Sequence, residues 1–232
     1  MTEIKVFELF GSQHIWVIAI IFTLFAWILF YGKKINPFAR KIISWVIIVT
    51  LLGNEVLYYV LDFINGTFDF KTNLSLHLCG FSVFLVSYTI FTKNQKTFSL
   101  CYFWSIGALQ AIFTPNITEI FPSFRFVQFF ASHGFIVLGV LFLTVTEGFR
   151  PTWRSLFTSI FITLILFSLI GLFNYTFDAN YMFMCNKPIG TNITNLLSDE
   201  FYLASLILIG IFFMILFYMP YAVWDLLNKK KS

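Results

Sequence analysis

Seven stretches of nearly uninterrupted apolar residues run through this chain, over about 13–31, 41–63, 73–92, 97–115, 126–147, 153–175 and 201–225. Each holds about the 20 residues that a helix needs to cross a hydrocarbon core. The runs are apolar on all sides rather than along one stripe, as spanning helices are. Turn formers separate them: Gly32 to Pro37, Asn65-Gly66-Thr67, Pro115, Pro122, Pro151, and Pro188 with Gly190 in the long connection 176–200. No repeat, low-complexity segment or linker divides the chain. The expected architecture is all-α: a polytopic membrane helix bundle of about seven transmembrane helices, forming one domain over 1–232.

The basic residues sharpen this picture. Lys33, Lys34, Arg40, Lys41, Lys93, Lys96, Arg150, Arg154 and Lys229 to Lys231 fall at one set of helix ends. The other set holds Lys5, Lys71, Arg125 and Lys187, so the division is eleven against four. It alternates loop by loop, as a correct count of spans requires. The positive-inside rule then predicts an outside N-terminus and a cytoplasmic C-terminus. Tyr31, Tyr58, Tyr59, Trp153, Tyr218, Tyr221 and Trp224 suit interfacial aromatic belts.

Composition agrees. The chain is 59% hydrophobic and 11% charged, with a mean hydropathy of +0.84; a soluble domain carries roughly 25% charged residues. The net charge of +4 reflects orientation charges, and no nucleic-acid partner is expected. Glu3 and Glu8, with no small-residue cleavage site after the first apolar run, argue against a signal peptide. Cys79, Cys101 and Cys185 are too few and scattered for a disulfide framework or zinc ribbon. Cys101 and Cys185 read as structural.

Polar side chains inside the runs stand out, because an ionisable group in hydrocarbon costs on the order of 2.5–3.5 kcal/mol on insertion scales. They are Asn54 and Glu55, His77 and Cys79, Gln110, and Ser132 and His133, with Asn174 at a helix end. At a rise of about 1.5 Å per residue, Glu55, Cys79, His133 and Gln110 lie about 12, 9, 10 and 7 Å from the lysine-poor ends of their helices. Four helices therefore place polar groups in one layer, as the lining of a single cavity would require.

The chemistry this layer supports is nucleophilic. A thiol needs a base to become a thiolate, and His133 is the natural base for Cys79. Glu55 would orient the imidazole. The backbone, or the amides of Asn54 and Gln110, would hold an oxyanion. His77, two residues from Cys79, points about 200° away on a regular helix and serves Cys79 only if the helix start is unwound; otherwise it would meet a headgroup. Plainer readings stand beside these. A buried cysteine is commonly a packing residue, and Asn54-Glu55 would equally clasp a neighbouring helix, for instance through His133.

Four segments carry a family resemblance. Leu74-Ser75-Leu76-His77-Leu78-Cys79 resembles the LxLHLC segment of the YwaF-type bacterial integral membrane family. Tyr102-Phe103-Trp104 through Gln110-Ala111-Ile112-Phe113-Thr114-Pro115 and Phe129-Phe130-Ala131-Ser132-His133-Gly134 resemble two further segments in the same order. Asn180-Tyr181-Met182-Phe183 with Lys187-Pro188 is similar to its last motif. That family is similar to transmembrane protein 164, an acyltransferase remodelling ether phospholipids. The resemblance implies lipid acyl transfer with Cys79 as nucleophile and His133 as base, in a bacterial plasma membrane.

The resulting expectation is a multi-pass phospholipid transacylase. Membrane phospholipid and lysophospholipid are its partners, with no cofactor, no metal and no identified protein partner. Arg125 and Lys187 would pair with lipid phosphates or serve as ordinary loop charges. His77, Asn54, Gln110, Asn180 and Tyr181 complete the expected substrate contacts. A rival reading is a proton- or ion-coupled transporter or channel using Glu55, His77 and His133. A metal-dependent hydrolase using the same three is disfavoured, since neither HxxxH nor HExxH spacing occurs.

Overall fold

The computed structural model describes residues 6–188 and 197–229. Lys5, Gly190, Lys230 and Lys231, used above, lie outside the described residues. Among the described residues there are seven α-helices: α1 Ser12–Tyr31, α2 Pro37–Ile64, α3 Leu78–Thr92, α4 Gln95–Phe113, α5 Phe124–Thr146, α6 Trp153–Phe177 and α7 Tyr202–Lys229. The all-helical fold is the one the apolar runs predict.

Local chemistry starts most of these helices. Asn36 Oδ1 accepts the Ala39 N–H ahead of α2, with Pro37 in the first helical position. Ser123 accepts from Phe126 at the start of α5, and Thr152 with Ser155 forms a capping box on α6. Helices α1 and α3 differ: their N-caps, Gly11 and His77, make no side-chain capping bond.

Two helices depart from the expected spans. Helix α3 begins at Leu78 rather than 73, because residues 73–77 are not helical. Its 15 residues cover about 22 Å at the α-helical rise, short of a core of about 30 Å. Helix α4 is continuous over Gln95–Phe113, but Ser99, Ser105 and Gln110 break up its apolar run. Five helices, α1, α2, α5, α6 and α7, are by themselves long and apolar enough to cross a membrane.

Hydrogen bonds stitch the loops together at each end of the bundle. At the lysine-rich end Arg40 Nη1 donates to the Thr146 carbonyl, Gln95 Nε2 donates to Arg150, and Arg150 pairs with Asp225. At the lysine-poor end the Phe7 N–H donates to Thr118, the Phe121 N–H to Gln13, and the Tyr181 hydroxyl to Phe70. Consecutive helices thus alternate direction.

The core centres on α5, which packs against α1, α2, α3 and α4. A Cβ on Gly139 of α5 would lie 2.6 Å from Val86 Cγ1 of α3, so only glycine permits this approach. Both helices start at the lysine-poor end and run the same way. Cys79 stands seven residues before Val86, and Ser132 seven before Gly139. Seven residues are close to two turns, so the contact face at Val86 and Gly139 recurs at Cys79 and Ser132. Helices α6 and α7 pack together and on α4.

Candidate active site

The unwound segment ahead of α3 builds the site. Non-helical backbone at membrane depth requires polar partners, and each turn here has them. The Ser75 N–H donates to the Tyr59 hydroxyl oxygen at 2.8 Å, and Ser75 Oγ donates to Glu55 Oε1. The Leu74 N–H donates to the Tyr181 hydroxyl at 2.9 Å. The chain turns so tightly that a Cβ on Gly80 would stand 2.7 Å from the Ser75 carbonyl oxygen. Among the described residues the Leu78, Cys79 and Gly80 amides, in the first turn of α3, have no hydrogen-bond partners. A helix start with free N–H groups and no cap is a ready site for negative charge.

One cavity of about 1440 Å³ faces this turn, and Glu55, His77, Cys79, Gln110, Arg125 and His133 all line it. Its rim at the lysine-poor end includes Lys71 and Asp178, which pair at 3.5 Å. The layer of polar groups expected from helix depths is therefore a shared wall.

The two histidines in this wall carry opposite tautomers. His133 Nδ1 lies 2.7 Å from the Phe129 carbonyl, which only accepts, so Nδ1 carries the hydrogen. Nε2 is left with its lone pair and has no partner among the described residues. The His77 Nδ1 accepts the Met182 N–H at 3.1 Å, so the hydrogen of neutral His77 sits on Nε2. The rings are within range of each other's charge. His77 is wedged between Tyr181 and Phe183, with ring centroids 5.3 and 5.1 Å away. The unwound helix start removes the 200° separation that a regular helix would impose between His77 and Cys79.

Ser132, adjacent to His133, lines the same cavity, and its buried Oγ has no partner among the described residues. Buried hydroxyls are nearly always bonded, so an orphan points to a ligand group.

Four expectations need correction. Glu55 does not stand behind the imidazole: its carboxylate takes Ser75, and a backbone carbonyl holds His133. Asn54, one residue and about 100° around α2 from Glu55, lies off the cavity lining. Tyr181 is fully buried; its hydroxyl joins Leu74 to Phe70, and its backbone pairs with Asn174, so it braces the site without lining it. Lys187 is bound to Asp199 and to the Leu197 carbonyl, and it too is off the lining.

Asn180 lines the cavity, yet its amide is occupied by Cys185 and Asn186 backbone groups. Arg125 sits 4.4 Å from the Tyr58 ring centroid and within range of the Glu55 charge. His14 is a structural residue: Nδ1 accepts the Phe10 N–H, and Nε2 donates to the Ile112 carbonyl. Among the described residues no three His, Cys, Asp or Glu side chains converge as metal ligands. Sequence reasoning missed Ser75, whose role depends on a bond to a distant helix.

These features define a multi-pass helical membrane protein with a polar, thiol-containing cavity at one end of its bundle. The chain belongs to the TMEM164 family, whose model matches residues 9–218. An uncharacterized protein of Treponema pallidum (strain Nichols) is 25% identical over 121 residues, which is 52% of this chain and 51% of that relative. The match thus spans about half of the relative's length. No solved structure matches.

Proposed function

We propose that this protein is a membrane-embedded phospholipid acyltransferase working through a Cys79 thioester. The observation that carries the reading is that the Cys79 thiol, in the uncapped first turn of α3, lines the same cavity as His133, whose Nε2 is the unengaged, lone-pair nitrogen.

The steps follow from these groups. His133 Nε2 takes the thiol proton, and Cys79 Sγ attacks the ester carbonyl of a donor phospholipid. The carbonyl oxygen becomes an oxyanion, met by the free α3 amides and the Ser132 hydroxyl. The C–O bond breaks, and the departing lysolipid alkoxide takes the proton from the imidazolium. A second lysolipid then enters. His133 removes its hydroxyl proton, the alkoxide attacks the thioester, and Cys79 leaves as thiolate, recovering the proton. Phe129 keeps the hydrogen on Nδ1 throughout, the orienting role that a carboxylate has in a triad.

The charge asymmetry supports a cavity mouth at the outer face of the membrane. A phospholipid reaches that face through the bilayer, whereas a cytoplasmic acyl-CoA does not. The donor is accordingly a phospholipid, and the reaction a transacylation. Arg125 is the cation placed to meet its phosphate.

The test is to incubate purified wild-type and Cys79→Ala protein with acyl-labelled phospholipid and a lysophospholipid, following label transfer and covalent labelling of the protein. Wild type should transfer label and form a hydroxylamine-sensitive adduct, and Cys79→Ala should do neither. Undiminished transfer by the alanine variant rejects the proposal.

A further inference from the structure

Beyond the thiol, the cavity continues toward the bundle centre as an apolar arm. Its wall on α7 runs from Leu206 to Phe217, eleven residues or about 16 Å of helix. On α6 it reaches Ile160, and on α4 it reaches Phe103. Thr163 is the polar side chain of this arm on α6, and its hydroxyl is spent: it accepts from Trp104 Nε1 at 2.8 Å and donates to the Ser159 carbonyl at 2.7 Å. The Tyr102 hydroxyl ties the foot of α4 to the Phe217 carbonyl at 2.9 Å. An apolar occupant leaves no polar group unsatisfied here.

Two glycines set the bore. Gly107 on α4 and Gly210 on α7 both line the cavity, and a Cβ built on either meets nothing within 4 Å. Glycine in a helix interior costs about 1 kcal/mol relative to alanine. At these two positions it is not required by close helix packing, unlike Gly139; what it does is keep space open.

We infer that this arm is an acyl-chain site whose bore at Gly107 and Gly210 sets the longest chain the protein accepts. The inference rests on the acyltransferase reading for its catalytic consequence, but the binding it describes stands separately. The occupant is one fatty acyl chain of a phospholipid, its ester at the thiol and its methyl end toward Phe217. A leucine at either glycine projects into the bore and denies burial to the distal methylenes. Each methylene so excluded loses its packing contacts with the arm and stays in the surrounding detergent or lipid hydrocarbon.

The experiment uses the full chain in detergent. A phosphatidylcholine bearing a fluorescent polyene acyl chain is displaced by phosphatidylcholines of graded saturated chain length, for wild type, Gly107→Leu, Gly210→Leu and Gly53→Leu. Gly53 on α2 is also open around its Cα but lies off the cavity, so it serves as control. Both cavity substitutions raise helix propensity, and the melting temperature of each variant is measured beside its binding. Wild-type affinity should climb with chain length to a break. Gly107→Leu and Gly210→Leu should move the break to shorter chains, weakening the longest competitor and leaving the shortest unchanged; Gly53→Leu should match wild type.

An unshifted break in both cavity variants, or binding without chain-length dependence in wild type, overturns the inference. Acyl transfer by the same proteins separates the two ideas. A shifted break without transfer by any form keeps the arm and rejects the acyltransferase, whereas transfer with an unshifted break does the reverse.

Discussion

His77 and His133 face one cavity in opposite tautomers, with the hydrogen on Nε2 of the first and on Nδ1 of the second. A backbone N–H held to His77 and a backbone carbonyl held to His133 impose this difference. The two rings therefore divide the labour: His77 offers a hydrogen, and His133 offers a lone pair.

The first prediction follows from that division. His133→Gln removes the base and should lower acyl transfer on the order of 10²-fold or more. His77→Gln removes the ring that accepts the Met182 N–H and turns its own N–H to the cavity, and should lower it about tenfold, the scale of one neutral hydrogen bond. Initial rates of label transfer, measured on protein of matched thermal stability, decide it. Equal losses would refute the division.

Ser132→Ala should separate stability from activity. Its hydroxyl is buried without a partner, so deleting it removes a desolvated group and should leave melting temperature unchanged or raised. Turnover should nevertheless fall, by about 10²-fold if the hydroxyl holds the oxyanion. Unaltered turnover removes Ser132 from the mechanism.

Gly139→Leu should strain the α3–α5 contact. The added side chain meets Val86 Cγ1, and overpacking of this kind costs about 1–3 kcal/mol. Val86→Ala in the same chain should recover much of that loss. Unfolding in mixed micelles of graded denaturing detergent measures both variants, and the rescue is what distinguishes this contact from a general effect of leucine.

Tyr181→Phe should destabilise by about 1 kcal/mol, because the hydroxyl's loss removes the bonds to the half-buried Leu74 N–H and the Phe70 carbonyl. It should also loosen the turn that carries His77 and Cys79. Faster hydrogen exchange confined to residues 70–80, measured by mass spectrometry, is the expected signature. Protection equal to wild type would mean that Tyr181 does not brace that turn.

The sequence carried the layer of Glu55, Cys79, Gln110 and His133 because depth along a helix is a linear count from its end. It did not carry the partner of Glu55. Helix counting places a side chain at a height, whereas its neighbour depends on how helices rotate about their axes. Ser75 entered the site because residues 73–77 leave the helix, and they leave it because Tyr59, Tyr181 and Glu55, distant in sequence, supply partners for that turn. Lys187 and Tyr181 misled for the same reason. Each has the right chemistry at the right end of the molecule, and each is already bound elsewhere.

Apolar run length and the placement of lysine and arginine determined the helical class and the alternation of the chain, because transfer of each residue between water and hydrocarbon is local to that residue. Which polar groups meet was decided by tertiary packing. The approach of α3 to α5 at Gly139, the partners that hold the turn ahead of Gly80 and the Met182 amide that selects the His77 tautomer all depend on atoms far apart in the chain, whereas the Phe129 carbonyl that selects the His133 tautomer is one helical turn away.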